Sequence, residues 1–232
     1  MHTSRTQPTV TILISALNEE KNIKKIVSDC LKIKQYKVTA LVIIDRKTTD
    51  HTDIVAKKAG GKIIYAKGVG KGSTIKSALP YLKSTYTVQI DADYQFIPKE
   101  IPKLVDKLIN GYDLALGTRY QNGAQVEKGS VSPFKYLGSY FLSIITSLFA
   151  QQKITDVMAG FKGFKTAVLK DLNPQTSHFG YEAELVVRAA KRKYRIINIP
   201  ITYKKRMSGR SSVASVKHGL LVLGTIIRTG LE

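Results

Sequence analysis

Tryptophan is absent from the 232 residues, cysteine occurs once, and acidic side chains number 17 against 37 lysines and arginines. The lone Cys30 excludes an internal disulfide framework and fits a reducing compartment. It lies in a helical pattern, where a small core residue is the simpler reading than a nucleophile. Long apolar runs are missing as well. A bilayer span needs about 20 apolar residues, whereas 134–150 (FKYLGSYFLSIITSLFA) is broken by Lys135 and hydroxyls, and 219–227 (GLLVLGTII) is too short. The opening MHTSRTQP has no apolar segment, so no signal peptide is expected. The shortage of acid leaves a formal charge of +20. Such a field favours anionic partners: nucleic acid, an acidic lipid surface, or phosphorylated small molecules.

What is present is an ordinary globular composition, 43% hydrophobic, at a length that suits one domain. Short β-branched runs alternate with helical patterns, which predicts βαβ units and a largely parallel sheet. Strands are expected at 9–15 (TVTILIS), 39–45 (TALVIID), 62–66 (KIIYA), 86–90 (YTVQI), 114–117 (LALG) and 195–201 (RIINIPI). Helices are expected after the first strand, from near Thr49, over 72–83 with Pro80 ending or kinking it, and over IPKLVDKLINGYD with Gly111 closing it. Further helices are expected at 134–150, at 181–193 and at the C-terminus, with 121–132 a mobile loop. The chain is read as a single domain, 1–232: a nucleotide-binding half at 9–120, an acceptor-side half at 121–212 and an amphipathic helix at 213–232.

The stretch IDADYQF, 90–96, sets Asp91, Asp93 and Gln95 at alternate positions after an apolar strand. In an extended chain those side chains share a face. They also stand at the carboxyl end of a parallel strand, where open α/β sheets bind ligands. Clustered carboxylates repel unless a cation or hydrogen bonds hold them. Oxygen-only ligands suit Mg2+ or Mn2+, which also grip substrate phosphates. A solvated turn is the plainer explanation for an isolated D-x-D. GVGKGST, 68–74, is not a P-loop: Gly72 separates the Lys from the hydroxyl, and the loop precedes the fourth strand, not the second. It reads as a strand-to-helix turn with Lys71 either solvated or near a phosphorylated ligand.

Taken in order, ISALNEEKNI, IDRKTTDHT, GKGSTIKSAL, DADYQ, LALGTRY, PFKYLGS, DVMAGFKGFK and RMSGRSS resemble the motifs of the inverting family-2 glycosyltransferases of GT-A fold. Among these the chain is most similar to the polyprenyl-phosphate enzymes typified by dolichol-phosphate mannosyltransferase. The similarity runs from about Val10 to Val213. It implies an α/β, Rossmann-like fold of mostly parallel sheet flanked by helices. It implies hexose transfer from a GDP- or UDP-sugar to a polyprenyl phosphate with Mg2+ or Mn2+.

Position by position, the resemblance assigns Ser15, Leu17, Glu19, Asp45, Lys71, Asp91 and Ala92 to the donor nucleotide sugar. Asp93 and Gln95 would hold the cation. Arg119, Lys135, Ser139 and Arg206 match positions used around donor and acceptor phosphates, with Asp91, Asp93 and Arg119 carrying catalysis. Arg is a rigid fork for phosphate and Lys a point charge, which agrees with that use. Several positions depart from the family pattern. Ser15 and Leu17 replace Pro and Tyr, Arg46 replaces the second Asp of a D-D pair at the base, Lys135 replaces Arg, and Ser212 replaces Lys. The nucleobase is left open by Arg46; the metal motif is intact.

A phosphate acceptor needs no general base, because its second pKa is about 6. Its charge must instead be tolerated, and Lys135, Arg206 and Arg210 suit that. An alcohol acceptor would need a base, for which Glu182 and Glu184 in GYEAELVVRAA are the candidates. Glu184 and Arg188 are also placed for a helical ion pair. Without tryptophan the Q-x-x-R-W signature of processive synthases is excluded. The helix at 134–150 and the C-terminal helix, flanked by Lys and Arg, are expected to dock on an anionic membrane surface from the cytoplasmic side. A nucleic-acid-binding module would use the charge through counterion release. The cations are scattered, however, and no zinc spacing or RNP-like pattern occurs, so no nucleic-acid partner is expected.

Overall fold

The structure is a computed structural model that describes residues 7–209 and 216–232. At its centre Val10, Ile12 and Ile14 of β1 (Thr9–Ala16) face one side of the sheet, while Leu13 faces the other. The strand reads as a continuous apolar run because both faces are covered. One face packs against α1 (Glu20–Leu31), α2 (Thr52–Lys58) and α4 (Ile101–Ile109), with Ile23, Ile26, Leu104 and Leu108 in that core. The opposite face packs against α3 (Lys71–Ala78), α5 (Pro133–Ala150), α7 (Tyr181–Lys191) and α8 (Val216–Leu231) through Ile75, Leu142, Leu185 and Ile226.

The main sheet runs β3-β2-β1-β4-β7-β5-β8, with β2 at Lys37–Ile44, β3 at Lys62–Tyr65, β4 at Tyr86–Asp91, β5 at Leu114–Thr118, β7 at Lys162–Lys165 and β8 at Ile196–Pro200. All neighbours are parallel except β7, which is antiparallel to both β4 and β5. The chain order reverses beside β1, whose Ser15 is level with Asp91 of β4. A crevice opens at the carboxyl ends of strands at such a switch point.

The expected fold class is the one observed. Several expected details differ. Helix α2 begins at Thr52, later than Thr49, and α3 stops at Ala78, where Pro80 permits only a 3-10 turn over Leu79–Tyr81. The short KGFK strand β7 was not anticipated, because its lysines break apolar alternation, and α6 (Thr166–Leu172) was missed too. The stretch 121–132 is not wholly loop: β6 (Gln125–Val126) pairs with β9 (Thr202–Tyr203). The proposed halves share one sheet, since β7 and β8 of the second lie against β4 and β5 of the first. Arg210, Ser212 and the first positions of the expected 213–232 helix lie outside the described residues.

Among the described residues no helix is long and apolar enough to cross a membrane. Helix α5 nonetheless leaves Phe134, Leu137, Phe141 and Leu148 exposed, and α8 leaves Leu220 and Leu231 exposed.

Candidate active site

Strand β4 ends at Asp91, and the next residues turn, with Tyr94 in the left-handed region at φ 61°. The alternation expected along 91–95 is therefore not that of an extended strand. A turn brings the side chains to one cleft. The turn is pinned from behind, where the Tyr94 hydroxyl donates to Asp29 Oδ2 at 2.5 Å. The Gln95 backbone N–H donates to Asp93 Oδ1 at 3.1 Å, and the Gln95 side-chain Nε2 donates to the Lys204 carbonyl at 3.1 Å. Gly160 presses on the same place: a Cβ there would stand 2.2 Å from Asp91 Oδ2.

The cleft has a volume of about 970 Å³ and is lined by Asp91, Asp93 and Gln95 together with Ser15, Leu17, Glu19, Asp45, Lys71 and Ala92. Arg119, Lys135, Ser139 and Arg206 line it as well. The sequence-derived candidates thus meet around one space. Asp45 accepts the backbone N–H of Gly70 at 2.8 Å and of Lys47 at 2.9 Å, which ties the loop before α3 to the end of β2. Ser15 Oγ and Thr74 Oγ1 are 2.8 Å apart. Arg46 stays outside the cleft lining, its guanidinium 3.5 Å from the Lys67 carbonyl.

Arg206 donates to Asp93 Oδ2 at 2.7 Å and to Glu19 Oε1 at 2.8 Å. Glu19 also accepts from Asn22 at 2.6 Å, and Asn22 in turn accepts from Ser208 Oγ at 2.8 Å, so the 204–209 segment is stitched across the cleft. Burial, and then the Asp91 charge, push the Asp93 carboxyl up to about 6, with Arg206 pulling the other way.

Arg119 grips Asp156 in a fork, Nε at 2.6 Å and Nη2 at 2.9 Å, while Ser139 Oγ donates to the same carboxylate at 3.4 Å. Burial opposes the Arg119 charge, but Asp156 outweighs it and holds the guanidinium above its ordinary value. Asp156 was not singled out in the sequence; the DVMAG motif that contains it was the available signal. Burial lowers the Lys135 ammonium, and the nearby Arg206 and Arg119 charges lower it further. Lys135 thus shares a corner of the cleft with the Arg119 and Arg206 guanidiniums, which Asp156, and Asp93 with Glu19, already pair.

Lys71 is not solvated. Its Nζ lies 2.6 Å from Asp91 Oδ1 and 2.6 Å from Glu182 Oε1, and the other Glu182 oxygen lies 2.5 Å from Lys162 Nζ. Burial would raise the Glu182 pKa, but Lys162 and Lys71 together bring it below the usual value. Glu184 accepts the backbone N–H of Gln175 at 2.7 Å and of Thr176 at 2.8 Å, with Arg188 Nε 3.0 Å away. The helical ion pair expected for Glu184 is present. Lys162 was missed, since nothing local marks a lysine in a strand as buried.

Among the described residues no group of three His, Cys, Asp or Glu side chains is arranged to hold a metal by itself. The donor set does fit a hard cation that takes part of its shell from a ligand. Asp93 supplies a carboxylate in a cleft, and Gln95, its amide nitrogen engaged, has its oxygen left for coordination. Arg206 already sits on Asp93 as a positive charge, so a metal ion there would share or displace that pairing.

The family described as "Glycosyl transferase family 2" matches residues 11–172. Over 221 residues the chain is 25% identical to a dolichyl-phosphate hexose transferase of Haloferax volcanii, covering 95% of this chain and 93% of that one. It is 26% identical to the glycosyltransferase AglJ of the same organism, over 88% of this chain and 66% of that one. It is also 26% identical to a dolichol-phosphate mannosyltransferase of Pyrococcus furiosus, spanning 88% of this chain but 59% of the relative. Among solved structures, glucosyl-3-phosphoglycerate synthase from Mycobacterium tuberculosis, in complex with Mn2+, uridine diphosphate and glucosyl-3-phosphoglycerate, superposes with a TM-score of 0.75 at 19% identity. That likeness covers 96% of this chain and 80% of that one, and it concerns the fold.

Proposed function

The chain belongs to glycosyl transferase family 2, and from that premise we propose that it transfers a hexose, with inversion, from a GDP- or UDP-sugar to a polyprenyl phosphate. The observation that carries this reading is the cationic corner of Arg119, Lys135 and Arg206 beside Asp91 and Asp93 in a cleft of about 970 Å³. Two phosphorylated ligands would meet there, the donor's diphosphate and the acceptor's phosphate. Names among the relatives, a dolichyl-phosphate hexose transferase and a dolichol-phosphate mannosyltransferase, support the acceptor class.

In this mechanism Asp93 and Gln95 would hold Mg2+ or Mn2+, which would supply positive charge for the donor's diphosphate. Glu19, Asp45, Ser15, Leu17 and Ala92 bound the nucleotide side of the cleft, and Asp91 with Lys71 faces the hexose. Arg119, kept rigid by Asp156, directs its remaining N–H groups at the developing charge. Lys135, Ser139 and Arg206 receive the acceptor phosphate. That phosphate is largely dianionic near neutral pH, with a second pKa of about 6, and attacks without a protein base. The alternative, an alcohol acceptor, needs a basic carboxylate. Glu182 and Glu184, the candidates for it, are both ion-paired, which speaks against that role.

The experiment is a thermal-shift screen of GDP- and UDP-sugars with and without Mn2+, followed by turnover with polyprenyl phosphate. Stabilisation by a Mn2+–nucleotide-sugar pair and a glycosylated lipid product are expected. Asp93→Ala should abolish turnover and stay folded; unchanged turnover would remove the cation from the mechanism. Transfer to a plain alcohol but not to a phosphate would overturn the acceptor.

A further inference from the structure

Lys162 is an ammonium sealed in the interior: it is wholly buried and lies outside the residues that line the cleft. The transfer mechanism gives it no task. Stability alone is a poor explanation, because replacing a buried ion pair with apolar residues is often neutral or favourable. Its partner is Glu182 Oε2 at 2.5 Å, Glu182 Oε1 is 2.6 Å from Lys71 Nζ, and Lys71 Nζ is 2.6 Å from Asp91 Oδ1. Charges therefore alternate along a line from the core to the cleft, ending on the donor side.

Both ends of the line are built in. Lys162 Nζ also donates to the carbonyl oxygens of Val157, at 3.1 Å, and Ala159. The following Gly160 lies against Asp91, where a Cβ would collide with either carboxylate oxygen. Between them, α3 is pressed on the segment before α7: a Cβ on Gly72 would be 2.0 Å from the Thr176 carbonyl oxygen. That closeness sets the distance from Lys71 to Glu182.

We infer that Lys162 and Glu182 are positioning residues that hold the Lys71 ammonium against Asp91 and aim its remaining N–H at an oxygen of the bound sugar donor. An ammonium has three N–H donors, and Asp91 and Glu182 engage two. Lys71 lines the cleft, so the third is left for a ligand. Lys71 also stands on a flexible four-carbon stem, and without Glu182 nothing on the core side would hold it. The identity of the ligand as a nucleotide sugar rests on the proposed function; the positioning of Lys71 does not.

The test uses the full chain with Lys71→Met, Glu182→Asp, and the joint charge-neutral pair Lys162→Met with Glu182→Gln. Its first readout is the 15Nζ ammonium signal of Lys71, assigned by its loss in Lys71→Met. The second is calorimetric binding of UDP-glucose and of GDP-mannose in Mn2+. The wild type should show a slowly exchanging Lys71 signal. The joint variant should lose it while melting near the wild type, and should bind donor about tenfold more weakly, the scale of one charge-assisted hydrogen bond. Adding Lys71→Met to the joint variant should cost nothing more, as expected for residues acting through Lys71. Glu182→Asp, which keeps the charge and remains folded, should exchange faster at Lys71. A Lys71 signal unchanged in the joint variant and in Glu182→Asp overturns the inference, as does full additivity with Lys71→Met. A wild type that binds neither nucleotide sugar overturns the glycosyltransferase reading, and the ammonium signal still decides the positioning.

Discussion

Arg206 bridges Asp93 and Glu19 with Nη2 and Nη1, at 2.7 and 2.8 Å, so a cation of the protein occupies the carboxylate proposed to hold a metal. The two positive charges compete for one anionic oxygen set. Arg206→Met should therefore tighten Mn2+ binding to the ligand-free protein by about tenfold, measured by calorimetry. The same variant should lower transfer by roughly a hundredfold, since it removes a cation from the phosphate side. Weaker Mn2+ binding would show that Arg206 supports the site rather than occupying it.

Glu184 is buried and spends its oxygens on the N–H groups of Gln175 and Thr176 and on Arg188. Glu184→Gln turns an amide N–H toward these donors and leaves Arg188 only the more distant Glu232 carboxylate, at 3.6 Å. Denaturant unfolding should show a loss of about 2–3 kcal/mol, with kcat near the wild-type value. A thousandfold fall in kcat in the folded variant would favour a general base and an alcohol acceptor.

His178 Nδ1 accepts the backbone N–H of Gly180 at 3.0 Å, just ahead of α7. Burial, and then the Arg228 charge, lower its pKa. With the folded pKa below the unfolded value of about 6.5, the unfolded chain binds the proton more readily, so stability present above that pH is lost as pH falls through the folded pKa. Tm should drop on acidification from neutral pH, and His178→Asn, which keeps an acceptor and does not titrate, should flatten that part of the curve.

The exposed side chains of α5, among them Phe134 at 66% and Leu148 at 73% exposure, lie on a chain with a formal charge of +20. An apolar face on a cationic protein is suited to an acidic lipid surface. Flotation with phosphatidylglycerol vesicles at low salt should carry the protein upward, and joint Phe141→Asp and Leu148→Asp substitution should abolish this without altering nucleotide-sugar binding. Equal flotation of the variant would place membrane contact elsewhere.

Much of the parallel sheet was legible because its strands are buried on both faces and read as uninterrupted β-branched runs, as in TVTILIS. Elements that depend on distant partners were not. KGFK becomes β7 only because β4 and β5 leave a space between them, and two residues at Gln125 become a strand only because Thr202–Tyr203 lies alongside. The side chains of Asp91, Asp93 and Gln95, expected to share a strand face, line one cleft. The expected means, strand alternation, was not the observed one, since Tyr94 takes a left-handed conformation held through Asp29.

By itself the sequence determined the α/β class, the position of the acidic turn at the end of β4, and the surplus of positive charge. Each follows from local periodicity or composition. Tertiary structure alone decided which charges neutralise one another: Arg119 with Asp156, Arg206 with Asp93, and Lys71 with Glu182, separated by 37, 113 and 111 positions. Coulomb attraction acts through space, and only the packed chain brings such partners within reach of each other.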